Sequence, residues 1–478
     1  MNDLLTVLPP IVLSLGGVIL LLVDLAIPRE RKALTAVLAA VVAAGAGISA
    51  VALWGARGTG FSGMVSIDGV ALFLDGLFAV IGLLTIAISV RYNTTRGIMR
   101  GEFYALILFA LSGMSLMGHA ANLLTVFMAI ELLSIPLYVL CGIARPRQDS
   151  EESAMKYFLL GAFASGFLVF GIALTYGATG QLSLAGIARA AAGGAADAQL
   201  LLAGAALMLV GLGFKIAAAP FHMWTPDVYE GAPTSVTAFM ATATKAAGFA
   251  AIVRVFTLGL GPIAESWQPV FAVLSALTML VGNLAALTQS NLKRMLAYSS
   301  IAHAGYLLMG LAAGGEEGVR AVLFYLAAYG VTTLAAFAAM TAARDSVEDQ
   351  TIESYAGFAR RKSGWAIVMA VAMLSMIGIP PTAGFAGKYF LFQSAISVGL
   401  IPLAIIGVLT SVIGAYFYLR VIVVMFFRDS PAEAEAKPMR ASVHTLAGGL
   451  AIVATVVLGI VPTPILGLLA QGVRSLVR

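Results

Sequence analysis

Stretches of about 20 apolar residues, the length that crosses a roughly 30 Å hydrocarbon core, recur from Leu8 to the C-terminus, and no polar stretch between them is long enough to fold as a separate domain. Inside lipid the backbone must satisfy its own N–H and C=O groups, so such segments fold as helices. The chain therefore reads as one all-α polytopic membrane protein. Its composition agrees: 60% of residues are hydrophobic and 11% charged, against about 25% charged in soluble chains.

Apolar runs between charged or turn-rich breaks give about 14 spans, at 8–27, 33–54, 69–90, 103–118, 121–142, 154–178, 199–226, 233–257, 266–290, 294–313, 318–342, 364–398, 400–426 and 443–470. Two are too long for a straight helix at about 1.5 Å per residue. The run 199–226 contains Pro220 and Pro226, and 364–398 contains Pro380 and Pro381 followed by Gly384 and Gly387. Each is read as one broken helix. Loops after odd-numbered spans then hold eighteen Lys and Arg, from Arg29 to Arg440, while loops after even-numbered spans hold Arg57, Arg189 and Arg320, with Arg254 at a helix end. The positive-inside rule puts the odd loops in the cytoplasm and both termini on the outer side. The segment 429–440 reads as a solvated loop. No basic residue precedes the first apolar run, so no cleaved signal peptide is expected.

Several function classes drop out. The single cysteine, Cys141, forms no intrachain disulfide or cysteine cluster, and His119, His222, His303 and His444 lack metal-ligand spacing. There is no glycine-rich dinucleotide loop or Walker loop. No metal, nucleotide or redox cofactor is expected in this chain. The net charge of +5 reads as a topology signal and not as nucleic-acid binding.

The informative residues are the charges inside spans: Lys215, Lys245, Lys388 and Arg420, with Glu131 at mid-span. Asp24 and Asp75 lie nearer span ends, where they can reach an interface, and Arg420 is close enough to its end to snorkel. A charge at the bilayer centre costs at least ~2.5–3.5 kcal/mol and usually faces a bundle interior or a wet cavity. One carboxylate cannot neutralise three lysines, so helix-pairing alone explains the set poorly. Desolvation disfavours a lysine's charged form and a nearby carboxylate restores it, so Glu131 and a lysine make a switchable acid/base pair. Lys215 precedes the Pro220 break and Lys388 follows Pro380–Pro381, and breaks of this kind mark cavities near the midplane.

Spans 4–8 and 9–13 each place a broken helix with a lysine fourth and a cation fifth, which suggests two inverted five-helix repeats. The chain then divides into a three-helix segment (1–102), a first repeat (103–257), a second repeat (258–426) and a C-terminal loop with span 14 (427–478). His222, His303 and Tyr298 are candidate relays, although a hydrogen-bonded structural role suits either histidine as well and an interfacial or capping role suits Tyr298. Asp227 and Glu230 read as residues that shape the loop after the first broken helix.

The strings GFKIAAAPFHMWTPDVYEGAPTSVTAFMATATKAAGF (213–249), NLKRMLAYSSIAHAGY (291–306) and IGIPPTAGFAGKYFLF (377–392) resemble the proton-translocating, antiporter-like membrane subunits of respiratory complex I and their cation/proton antiporter relatives. The chain stops after span 14, without the long lateral helix of one branch, and has Lys388 where another branch usually has glutamate. The resemblance implies Glu131 and Lys215 as a coupled pair, Lys245 as central relay and Lys388 as terminal site. It further implies proton export from the cytoplasm of a bacterium across its inner membrane, beside other membrane-arm subunits and within the lipid bilayer. NADH, FMN, iron–sulfur clusters and quinone would belong to other subunits. A subunit of a multi-subunit Na⁺ or K⁺/H⁺ antiporter, or of a membrane-bound hydrogenase, would use the same helices.

Overall fold

The computed structural model describes residues 3–343, 350–429 and 442–477. Most of the 429–440 segment, together with Arg344, Lys437, Arg440 and Arg478, lies outside the described residues. The principal helices are α1 (Leu8–Ala26), α2 (Ala33–Ala52), α3 (Gly69–Arg96), α4 (Gly101–Gly118), α5 (Leu123–Cys141), α6 (Gln148–Thr179), α7 (Ala198–Ile216), α8 (Trp224–Gly231) and α9 (Thr234–Gly259). They continue as α10 (Ala264–Leu287), α11 (Leu292–Ala313), α12 (Gly315–Ala343), α13 (Ser363–Ile377), α14 (Ala383–Ser397), α15 (Ile401–Phe427), α16 (Val443–Ile460) and α17 (Thr463–Val477). Among the described residues, 13 helices are long and apolar enough to cross a membrane. The two 15-residue helices α13 and α14 together make the remaining span.

Local chemistry explains where the helices start and stop. Asp68, Asn122, Asp197 and Asn291 cap α3, α5, α7 and α11 by accepting backbone N–H bonds with their side chains. The breaks fall where proline removes an amide. Helix α7 ends at Ala217, which sits in the left-handed region (φ 60°), and α13 ends at Gly378 (φ 96°), a conformation that glycine adopts without steric cost. The Ala219–Pro220 and Pro380–Pro381 peptide bonds are cis.

The most apolar stretches of α9 and α12 are wholly buried, and that of α11 nearly so. Helix α9 packs against α3, α4, α7 and α12, and α11 against α8, α10, α12, α14 and α15. The interior is thus helix against helix, while α1, α2, α6 and α15 turn large apolar side chains such as Leu22, Val41, Phe163 and Val412 outward.

The structure differs from the sequence reading at several points. The last apolar run is α16 followed by a separate amphipathic helix, α17, which packs on α3 and α12. A small antiparallel hairpin, β1 (Gly58–Gly60) with β2 (Val65–Ile67), precedes α3; its strands are too short to register as a sequence pattern. Asp75 does not reach an interface: it is buried 3% exposed, bonded to Ser115 and His119. Arg254, in the last turns of α9, is no exposed loop cation but a 1% exposed residue paired with Asp68 at 2.7 Å. Asp24 is also buried, ion-paired with Lys32.

Candidate functional site

Proline placement builds the lysine sites. In a continuous helix the carbonyl of residue i accepts from the amide of i+4. Pro220 cannot supply that amide to Ile216, nor Pro380 to Met376, nor Pro381 to Ile377. All three orphaned carbonyls are taken by lysines. Lys245 Nζ donates to the Ile216 carbonyl at 3.1 Å. Lys388 Nζ donates to the Met376 and Ile377 carbonyls at 3.0 and 2.9 Å. The negative end of each half-helix dipole adds to the attraction.

Lys215, Lys245 and Lys388 are 5, 2 and 6% exposed. Lys215, on the last turn of α7, donates to Ser134 Oγ (2.7 Å) and Tyr157 OH (3.0 Å), and its ammonium stands 5.3 Å from the Tyr157 ring centre. The far side of the break holds that tyrosine in place. Trp224, the first residue of α8, stacks on Tyr157 at 4.7 Å and donates its indole N–H to the Phe214 carbonyl.

Glu131 makes no ion pair with Lys215. It accepts from Ser165 Oγ at 2.6 Å, while Ser134, three residues further along α5, takes the lysine. Ser165 and Ser134 both line a cavity of about 10 Å³ that also contains Lys215, room for about one water. Carboxylate and ammonium are therefore separated by two hydroxyls and a small polar gap.

Lys245 also donates to the Ser300 carbonyl at 2.9 Å. Ser300 shares one face of α11 with His303 and Tyr306, spaced three residues apart. His303 Nδ1 lies 2.6 Å from Tyr325 OH and Nε2 lies 3.1 Å from Tyr418 OH, and Tyr418 also bonds Ser299. The Tyr306 ring centre lies 4.6 Å from Lys388 Nζ. Ser411 on α15 completes the Lys388 site, accepting at 2.6 Å. One face of α11 thus runs from the Lys245 site to the Lys388 site.

The structure brings Lys215, Lys245, His303 and Lys388 into one buried series and leaves two candidates beside it. His222 is half-buried in the break between α7 and α8, bonded to none of the three lysines. Tyr298 packs half-buried against the core; the phenols that reach His303 are Tyr325 and Tyr418 instead. Asp227 and Glu230 lie not in a loop but on α8, which they tie to its neighbours: Arg294 binds both at 2.8 Å and Lys156 binds Asp227 at 2.7 Å. Arg420 reaches the Gln289 carbonyl and the Glu353 carboxylate near its span end. Sequence reading missed Ser134, Tyr157, Tyr418 and Ser411. For the Ile216, Met376 and Ile377 carbonyls a signal existed: each lies four residues before a proline.

Residues 120–414 match the family described as NADH:quinone oxidoreductase/Mrp antiporter, TM. The NADH-quinone oxidoreductase subunit N of Chloroflexus aggregans is 47% identical over 99% of this chain and 97% of its own length. A chain in the structure of respiratory complex I from Thermus thermophilus with bound Aureothin superposes with a TM-score of 0.82 at 37% identity, covering 97% of this chain and all of that one. A chain of the Mrp complex from a Dietzia species, 21% identical, has a TM-score of 0.86 over 99% of this chain and 97% of its own, and so shares the fold.

Proposed function

The chain belongs to the NADH:quinone oxidoreductase/Mrp antiporter transmembrane family, and from that premise we propose that it is a proton-translocating membrane-arm subunit of an NADH–quinone oxidoreductase. Its neighbours in that assembly are other membrane-arm subunits, and the redox cofactors reside elsewhere in the complex. The antiporter alternative is not favoured: the Mrp relative shares the fold at 21% identity, where the complex I chain reaches 37%.

The observation that carries the reading is the series of three buried lysines, each held by a few neutral acceptors and, among the described residues, by no carboxylate within ion-pair distance. A lysine so placed has no fixed counter-charge to keep it protonated, and it can give its proton up, as arginine cannot. Approach of Glu131 to Lys215 through the Ser134–Ser165 gap favours the ammonium form, and retreat disfavours it. The proton then passes from the Lys215 site to Lys245, which is bonded to the carbonyl of the residue next to Lys215, and along the His303 face of α11 to Lys388. The two five-helix units, 103–257 and 258–426, support a repeat, since in each a proline break presents one or two free carbonyls to a lysine. The distribution of Lys and Arg among the loops supports both termini on the outer side of an inner membrane.

Lys245→Ala in the complete complex tests the reading. NADH oxidation should persist in part, and proton translocation per NADH should fall strongly. Full translocation with Lys245→Ala would overturn it.

A further inference from the structure

A second buried polar cluster lies where the β1–β2 hairpin meets the first turns of α3 and the end of α4. Its titratable centre is Asp75 with His119, the latter wholly buried. His119 Nδ1 lies 2.9 Å from the Ser66 carbonyl oxygen. A carbonyl only accepts, so Nδ1 carries a hydrogen. His119 Nε2 lies 2.8 Å from Asp75 Oδ2. With Nδ1 committed, that contact needs one more proton, either on the carboxyl with a neutral imidazole or on Nε2 with a carboxylate. Without it, a carboxylate oxygen faces a nitrogen lone pair. The pair is neutral with this proton and carries one negative charge without it, and Ser115 donates to Asp75 Oδ1 at 2.5 Å in either state.

The surroundings link this pair to the lysine series. Arg254 holds Asp68 with both terminal nitrogens, at 2.7 and 2.9 Å. The same guanidinium donates to Ser66 Oγ at 3.1 Å and to the Gly118 carbonyl at 2.5 Å. It therefore touches the residue whose carbonyl orients His119 and the residue that precedes His119. Arg254 and Lys245 are both on α9, separated by nine positions, and π-helical turns precede Lys245 and include Arg254; such turns are frequent at functional sites. A shift of α9 that follows a change of charge at Lys245 moves the guanidinium against both groups. Other titratable groups on elements packed against α3 and α4 have their own partners among the described residues: Asp24 with Lys32, Glu131 with Ser165, Glu316 with Arg474, Glu317 with Arg320, and His444 against Trp365.

We propose that Asp75 and His119 form an additional proton-binding site of the pump, loaded and emptied as α9 moves, at the hairpin end of the bundle. The proposal rests on the proton-carrying reading above. A purely mechanical tie between α9 and α3 is already made by Arg254 and Asp68, and an intramembrane ionisable pair is by default a functional site.

Asp75→Asn decides the matter. Its carboxamide nitrogen can donate to Nε2 and its oxygen can accept from Ser115, so every hydrogen bond of the loaded pair survives while the releasable proton is gone. In vesicles carrying the complete complex, Asp75→Asn should assemble as wild type and lose most of its proton translocation per NADH oxidised. Wild-type translocation would overturn the proposal. If that variant fails to assemble, His119→Asn, which keeps a donor for the Ser66 carbonyl and removes Nε2, takes its place with the same two outcomes. Lys245→Ala in parallel separates the readings. Loss with Lys245→Ala but not with Asp75→Asn overturns only the additional site, whereas no loss with either overturns the pump reading itself.

Discussion

Lys388 does two separable things in this structure. Its Nζ spends all three hydrogens, on the Met376 carbonyl (3.0 Å), the Ile377 carbonyl (2.9 Å) and Ser411 Oγ (2.6 Å). It thereby closes the break between α13 and α14, and in the proposed function it also passes a proton. Lys388→Met removes both roles. Neither carbonyl has an amide to fall back on, because residues 380 and 381 are proline; Ser411 Oγ still donates to the Ile377 carbonyl at 3.1 Å, but the Met376 carbonyl is left unpaired, and an unpaired buried acceptor costs about 1–3 kcal/mol. That is a sizeable part of the ~5–15 kcal/mol that holds a typical domain folded. Lys388→Arg restores the donors, since a guanidinium offers five N–H groups, but it never releases a proton. The expected order is therefore reduced assembly with Met, near-normal assembly with Arg, and loss of translocation in both. Lys388→Glu keeps a titratable proton but can donate one hydrogen bond only while protonated, so its assembly should fall between those of Met and Arg. The assay is the amount of assembled complex in the membrane together with protons translocated per NADH in vesicles. An Arg variant that translocates like wild type would reduce Lys388 to a structural cation, and a Met variant that assembles normally would show that the break does not need its donor.

Two further outcomes follow from particular contacts. Arg254→Ala leaves the Asp68 carboxylate buried without its partner, a loss of about 3–5 kcal/mol, and should sharply lower the yield of assembled complex, with Arg254→Met combined with Asp68→Asn recovering part of it; equal yields for the single and double variants would refute this account. In a Cys141→Ser background, Arg57→Cys should react with an impermeant maleimide from the outer face and Arg147→Cys from the cytoplasmic face, and labelling in the opposite sense would invert the proposed orientation.

What the sequence by itself determined is what composition and proline can dictate one segment at a time. Apolar length set the number of spans, because lipid leaves the backbone no other way to satisfy its polar groups. Pro220 and Pro380–Pro381 set the two breaks, because a missing amide ends a helix wherever the segment lies. Mid-span charge set Glu131, Lys215, Lys245 and Lys388 as candidates, because burying an ammonium costs the same in any fold. What pairs with what was decided only by tertiary structure. His119 and Asp75 are 44 residues apart and Arg254 and Asp68 are 186 apart, each at a span end where sequence reading expects contact with water. They are buried because the hairpin and α9 close over that end of the bundle. Glu131 and Lys215 stand apart because Ser134, Tyr157 and Ser165 arrive from α5 and α6 to occupy their hydrogen bonds. The register between packed helices depends on the shapes of all the side chains between them, and no single segment carries that information.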